Sequence, residues 1–413
     1  MTPADRGRAA GPGPGGLLAL MLDGVPRTRA EIAHLTGLSR STVSARVDEL
    51  LRGEVLTAAG AAASSGGRPP AQVAFNPEAR VAVGIDLGAT HGTAAICDLA
   101  GGVLAAETIV LDIADGPGLV LEAVLSTATR LLDGVARPWS DVAALGLGLP
   151  GPVEHATGRP TNPPIMPGWD RVDVPGEVRD HLRLPGLDVL VDNDVNVLAL
   201  GEHALWWPEA DDLFYVKVST GIGAGIVMGG TLQRGARGSA GDLGHVRVPW
   251  AADSPRPADD QRELEDIASG PAIAALLREA GIEAATSADV VDLVRAGDRT
   301  AIAAVRQAGR EVGAVVAGVV NVLGPSVVVI GGSVGRAGED LIAGVREVVY
   351  RHSLPLATEH LQIVPARGDA NGGAVGAAIM AARHALAPEA IQTWLTPAAT
   401  STTDPIDERE KPQ

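Results

Sequence analysis

The chain has 413 residues, 46% of them hydrophobic but only 2% aromatic, with one cysteine and a formal charge of −17. That length exceeds one compact core and implies two or three domains whose interiors are built from Val, Leu, Ile and Ala. The acidity excludes a molecule-wide polyanion-binding surface, and the lone Cys97 excludes an intrachain disulfide or a cysteine-rich metal site.

The charge is unevenly spread. Residues 1–80 hold nine Arg against seven Asp and Glu, or +2, which leaves −19 for the remainder. A neutral-to-basic head on an acidic body is the asymmetry expected where only the head meets nucleic acid. Leu17–Leu22 is too short for a signal core and is flanked by Gly and Asp. The uncharged run Ala314–Gly332 is broken at Asn321 and Gly324-Pro325, which divides it between a helix end and a buried strand. A soluble cytoplasmic protein without a membrane partner is expected.

Residues 1–14, rich in Gly, Pro, Ala and Arg, are expected to be disordered. A short apolar helix, Leu17–Leu22, closes at Asp23-Gly24. Thr28-Arg-Ala-Glu31 is a capping-box pattern opening a second helix through Leu35. Gly37 permits a tight turn, and Ser39 caps a third helix running to about Arg52. Small Ala33 falls at the helix crossing, with Val43 and Val47 facing inward, which is helix-turn-helix spacing. Ser39, Arg40, Ser41, Thr42, Ser44 and Arg46 then face outward, where they can meet phosphates and base edges of double-stranded operator DNA. An ordinary helical hairpin is the plain alternative, although Glu/Lys pairs would then suit the outer face better. Glu54–Val73 reads as a β-wing, with a strand at Val55–Thr57 and SSGGRPP before Gln72–Phe75. Arg68 in that wing is placed to reach a minor groove. The head is therefore a winged helix-turn-helix domain over 15–75, ending at Asn76-Pro77.

From Val81 the texture changes to buried strands and Gly-rich turns. VAVGIDLGATHGTAAICD reads as strand, turn, strand, followed by a strand at Leu104–Leu111, a helix at Gly118–Leu132 and a strand at Val142–Leu147. DLFYVKVSTGIGAGIVMGG repeats strand, turn, strand about 130 residues later, an approximate internal duplication. Helices are expected at about Glu263–Ala280, Ser287–Ala296 and Arg299–Leu323, a buried strand at Val327–Ile330, and a last helix at Ala374–Leu386. Ala387–Gln413 reads as a disordered acidic tail.

Three turns carry chemistry. Asp86, Gly88 and Thr90 place a carboxylate, a glycine and a hydroxyl on one turn, able to hold phosphate oxygens and water-bound Mg²⁺. Thr220, Gly221 and Gly223 repeat the idea, glycine letting backbone approach a phosphate. Gly331 and Gly332, at a strand end, would accommodate a nucleotide's flat face. Between the repeats, LVDNDVNVLALGE ends a strand with Asn193 and Asp194, where open α/β sheets place ligands. There an amide and a carboxylate can bind a polyol, or simply cap a helix.

These motifs are similar to those of the ROK family of repressors and sugar kinases. The similarity covers about residues 16–385 and rests on IDLGAT, GLGLPGPV, PPIMPGW, VDNDVNVLALGE, STGIGAG, GSAGDLGH and VIGGSV. It implies an α/β, two-lobed, actin-like sugar-kinase (ribonuclease H-like) domain over 76–386. Lobe one would span 76–192 plus the helix 372–386, and lobe two 193–371. The winged head resembles that of the family's sugar-responsive regulators, which stand-alone kinases lack. A sugar-responsive transcriptional regulator is implied, acting as a repressor on operator DNA, in a homodimer or homotetramer, with a sugar effector between the lobes. The alternative is an ATP-dependent sugar kinase using Mg-ATP, with catalytic Asp194 as general base.

The resemblance assigns the sugar site to Asn193, Asp194, Asp242, His245 and Glu265, with Asp242 standing where the family usually has Glu. It assigns the nucleotide turns to Asp86, Gly88, Thr90, Thr220, Gly221, Gly223, Gly331 and Gly332. The family's cysteine-rich zinc motif is replaced by VPWAADSPRPADDQRELED, so no structural zinc is expected.

Overall fold

The computed structural model describes residues 13–61, 71–248, 262–368 and 370–396. Arg68 lies outside the described residues. The chain divides into two compact units, one formed by residues 1–76 with 385–413 and the other by 77–384.

In the smaller unit the capping signals act as read. Glu31 accepts from the Thr28 backbone N–H at 2.7 Å, Thr28 returns the bond to Glu31, and the helix Arg29–Thr36 follows. Gly37, with φ 68°, ends it in the left-handed conformation that glycine adopts without a Cβ clash. Ser39 accepts from the Thr42 N–H at 3.1 Å and caps the helix Arg40–Arg52. Val43, Val47 and Leu50 turn inward onto Leu17, Leu18 and Ile32. Strands β1 (Arg27–Thr28), β2 (Leu56–Ala61) and β3 (Ala71–Phe75) form a sheet in the order β1-β3-β2.

Two expectations are corrected here. The first helix occupies Pro14–Leu18, with turns after it, because Pro14 supplies a helical first position. Within the expected tail, Pro388–Leu395 is a helix that joins this unit. Its Ile391 is fully buried, and the Pro388 backbone comes within 2.6 Å of where a Cβ on Gly15 would stand. Leu395 lies equally close against Gly53. Burial of these apolar side chains overrides the polar composition around them.

The larger unit contains two five-stranded sheets. The first has the order β10-β7-β4-β5-β6, from β4 (Val81–Leu87), β5 (His91–Asp98), β6 (Val103–Val110), β7 (Val142–Leu149) and β10 (Val189–Asn193). A small hairpin, β8 (Val153–Glu154) with β9 (Arg159–Pro160), precedes β10. The second has the order β13-β12-β11-β14-β15, from β11 (Leu213–Val218), β12 (Ile222–Met228), β13 (Thr231–Gln233), β14 (Val327–Gly331) and β15 (Gln362–Pro365). In each, an antiparallel meander leads and two parallel strands add beside its first strand. The duplication read from the sequence is therefore a repeated topology.

Helices Asp194–Trp206 and Gly372–Ala385 share an apolar cluster with the second sheet, including Val197, Ala199, Tyr215, Val329, Ala377 and Met380. Close approach is possible because Gly376 leaves no side chain against the Val197 carbonyl, 1.8 Å from where a Cβ would stand. The helix expected over Glu263–Ala280 is two, Leu264–Ala268 and Gly270–Glu279. Extended Ser269 caps the second, and Pro271 stands in its first turn. No helix among the described residues is long and apolar enough to cross a membrane.

Ile391→Ala removes a fully buried side chain and should cost the smaller unit about 2–4 kcal/mol. Differential scanning calorimetry on the full chain should show the transition of that unit lowered and the other unmoved; unchanged melting would show the last helix to be dispensable.

Candidate functional site

The carboxyl ends of β4, β7 and β10 lie side by side, Asp86 paired with Gly148 and Asn193 with Leu149. Asn193 ends β10 in extended geometry, and its side chain accepts from the Val195 N–H at 2.9 Å, capping the helix that Asp194 begins. Its amide also donates to the Gly151 carbonyl at 3.0 Å. Asn193 is thus a cap and a tie between two loops; a sugar hydroxyl would meet an amide already bonded on both sides.

Asp194 is 5% exposed, and its carboxylate pairs with the Lys217 ammonium. Lys217 sits on β11 between Gly331 on β14 and Gly223 on β12. Burial alone would lower the ammonium's pKa, but Asp194 and Asp86 together outweigh it and hold the value above that of an ordinary lysine. Asp86 Oδ1 is buried without a hydrogen-bond partner. Burial, then the charge of Asp194, push the Asp86 carboxyl up to about 7, with Lys217 opposing. Asp86 also abuts the start of the helix Gly372–Ala385, 2.1 Å from the place a Cβ on Gly373 would fill. That helix N-terminus favours the ionised carboxylate.

The turn glycines are accounted for by packing within the chain. The His91 ring lies over Gly88, Glu265 over Gly221, and Val195 over Gly223. Gly331 and Gly332 are likewise closely packed on the side where a Cβ would stand. The Tyr215 hydroxyl fills the space a Cβ on Gly331 would take, and Gly332, with φ 85°, lies against the Val218 carbonyl. Thr90 and Thr220 are exposed. Glu265 accepts from the Ile222 N–H at 2.8 Å and so holds the second turn.

Asp242 and His245 form a separate, exposed pair, Nδ1 to Oδ1 at 2.7 Å. The bond to Asp242, then its charge, raise the His245 pKa above that of an ordinary imidazole. Asp242 thus orients the histidine through Nδ1 and leaves Nε2 for a ligand. The structure brings Asp86 and Asp194 together beside Gly148, pairs Asp194 with Lys217, and sets Glu265 against Gly221 and Gly244. Asn193 faces Gly151 instead.

Lys217 escaped the sequence reading, although a lysine in the apolar strand LFYVKV just before a Gly-rich turn is a usable signal. So did Asp192, 1% exposed, which accepts from Arg234 Nε at 2.6 Å and Asn196 Nδ2 at 2.7 Å. It also has His155 Nδ1 at 3.5 Å. Arg234 follows β13 of the second sheet and Asp192 is the penultimate residue of β10 in the first, so this pair ties the two sheets. Among the described residues no cluster of three or more His, Cys, Asp or Glu is arranged for a metal. With an ammonium already on Asp194, the acids do not fit a divalent ion between them.

The sequence signature of the ROK family matches residues 82–384. A putative xylose repressor from Caldicellulosiruptor is 28% identical over 363 residues, covering 84% of this chain and 89% of that protein. A solved ROK family transcriptional regulator, a homolog of the E. coli Mlc protein, covers 95% of this chain and 98% of its own, with a TM-score of 0.75 at 23% identity. A ROK glucokinase from Streptomyces griseus, solved with glucose and AMPPNP, covers 73% of this chain and 98% of its own, with a TM-score of 0.60 at 26% identity.

Ionising half-buried Asp86, whose Oδ1 has no partner, is unfavourable in the folded chain, so stability present below about pH 4 should decline as pH rises toward 7. Asp86→Asn removes that decline. Thermal unfolding of variant and parent should diverge between about pH 5 and 8 in the variant's favour, by roughly 2–4 kcal/mol; parallel curves would refute a buried, unpaired carboxyl.

Proposed function

The chain belongs to the ROK family, and on that premise we propose that it is a sugar-responsive, DNA-binding transcriptional repressor. The observation that carries this reading is the extra unit ahead of the kinase-like body. It presents Ser39, Arg40, Ser41, Thr42, Ser44 and Arg46 on or beside the helix Arg40–Arg52, whose opposite face is buried. The likeness to the xylose repressor and to the Mlc homolog covers 84% and 95% of the chain, more than the body 77–384 alone could supply, while the glucokinase covers 73%. Short hydroxyls and arginines on an outer helix face suit phosphate and base-edge contacts in a major groove. Arg68 would add a minor-groove contact.

The effector is a sugar or sugar derivative in the cleft of the body. Asp242 fixes the His245 ring, Glu265 fixes the neighbouring turn, and Asp194 with Lys217 offers an acceptor and donors to hydroxyls. To regulate, the sugar must bind one of the DNA-free and DNA-bound forms better than the other. We place the protein on its operator as a homodimer or homotetramer, since such heads read paired half-sites.

A second reading, an ATP-dependent sugar kinase with Asp194 as general base, is favoured by the likeness to the glucokinase. It would need Mg-ATP at the Asp86–Thr90 and Thr220–Gly223 turns and Asp194 released from Lys217. Sugar-dependent ADP release that vanishes in Asp194→Asn would establish it.

Fluorescence anisotropy with DNA from the chain's own promoter should show binding that weakens with salt. Arg40→Ala and Arg46→Ala should each cost about 1–3 kcal/mol for a base contact, or lower the salt slope by about one for a phosphate. Absence of sequence-selective binding would sink the proposal. Asp242→Ala and His245→Ala, at exposed positions, should leave DNA affinity intact and weaken the response to the sugar effector by about tenfold or more.

A further inference from the structure

The repeated topology makes β4 and β11 equivalent strands. Asp86 is the penultimate residue of β4 and Lys217 the penultimate residue of β11. Equivalent positions in the two lobes therefore carry opposite charges, and Asp194 stands where the lysine can reach it. The strand neighbours of Lys217 on either side, Gly223 and Gly331, carry no side chain, and Val195 and the Tyr215 hydroxyl take up the space beside them.

Two carboxylates share this cleft floor, one with a buried oxygen lacking any partner. Acids so placed require a nearby cation to stay ionised together. In phosphoryl-transfer sites a divalent ion coordinated by carboxylate oxygens supplies that charge. Lys217 supplies part of it here, opposing the rise that burial and Asp194 impose on Asp86, and Arg336 adds a further positive field that acts on Lys217 and His91. An incoming divalent cation would meet an ammonium on its ligand, a like-charge contact in a partly desolvated place.

We infer that Lys217 is a built-in cation that takes the place of a divalent metal between Asp86 and Asp194, making ligand binding in this cleft metal-independent. An ammonium is a compact charge with three donors. One goes to Asp194, and the others can serve a ligand's hydroxyls. Unlike a metal brought in with a nucleotide, it is present whatever the ionic conditions. The inference concerns the same cleft but does not rest on DNA binding, so it can fail while the repressor reading stands.

The test is a Mn²⁺ titration of the full chain, followed by electron paramagnetic resonance and calorimetry at about pH 8, above the parent's Asp86 pKa. The parent should show no saturable Mn²⁺ site that depends on Asp194. Lys217→Thr should gain one, at least about tenfold tighter than any binding by the parent. Adding Asp86→Asn to Lys217→Thr should abolish it, and Lys217→Arg, which keeps the cation, should behave as the parent. A saturable site in the parent that Asp194→Asn removes would overturn the inference, as would a folded Lys217→Thr protein without one. Should Lys217→Thr not fold, the parent and Lys217→Arg titrations still decide.

Discussion

The strand-to-helix junction at Asn193 and Asp194 is the point on which the body depends. Asn193 ends a parallel strand, caps the next helix and ties the loop at Gly151. The helix it starts packs against the second sheet, so the junction is also where one lobe passes into the other. Placing a carboxylate in the first helical turn favours its charge through the backbone dipoles. The same placement buries Asp194, and a buried carboxylate needs a counter-charge. Lys217 meets that requirement from the facing sheet.

Two charged ties therefore cross between the sheets. Asp194 pairs with Lys217, and Asp192, two residues earlier, pairs with Arg234. They differ in how completely their acids are satisfied. Asp192 collects an arginine, an asparagine amide and a backbone N–H. Fully bonded buried polar groups rigidify a site, and Asp192 fits that part. Asp86, by contrast, keeps one oxygen without a partner. Unsatisfied groups at a cleft are where a ligand gains most by binding, since its hydrogen bonds replace none already made.

Much of this frame was legible in the sequence, wherever a local signal coincided with a tertiary need. Thr28 with Glu31, Gly37 and Ser39 mark helix ends by local hydrogen bonding alone, and they lie where read. The duplicated strand–turn–strand pattern became two sheets of like topology. The helix Glu339–His352 has no capping side chain and starts after Gly338 in an unusual backbone state, so no local cue announces it. The helix Pro388–Leu395 forms beside Pro14–Leu18, at the far end of the chain, a partner no window could reveal. At the site, Asn193 and Asp194 were visible from strand-end chemistry, whereas Lys217 is one letter in an apolar strand. Its meaning appears only once the equivalent strand brings Asp86 to the same floor. The roles of Gly331 and Gly332 likewise depended on Tyr215 and the Val218 carbonyl, contacts made within the folded second sheet.

The pairing also bears on why a kinase-like frame suits regulation. A catalyst must bind the transition state more tightly than the ground state, which for a sugar hydroxyl means a carboxylate free to take its proton. A regulator needs only different affinities in two conformations. An ammonium held on Asp194 works against the first requirement and is compatible with the second, because the pair still accepts and donates hydrogen bonds. Asp242 acts in the same direction, its carboxylate holding the His245 ring, so the histidine is an oriented contact at an exposed position. Both pairs keep hydrogen-bonding groups in place while tying down groups that would move protons.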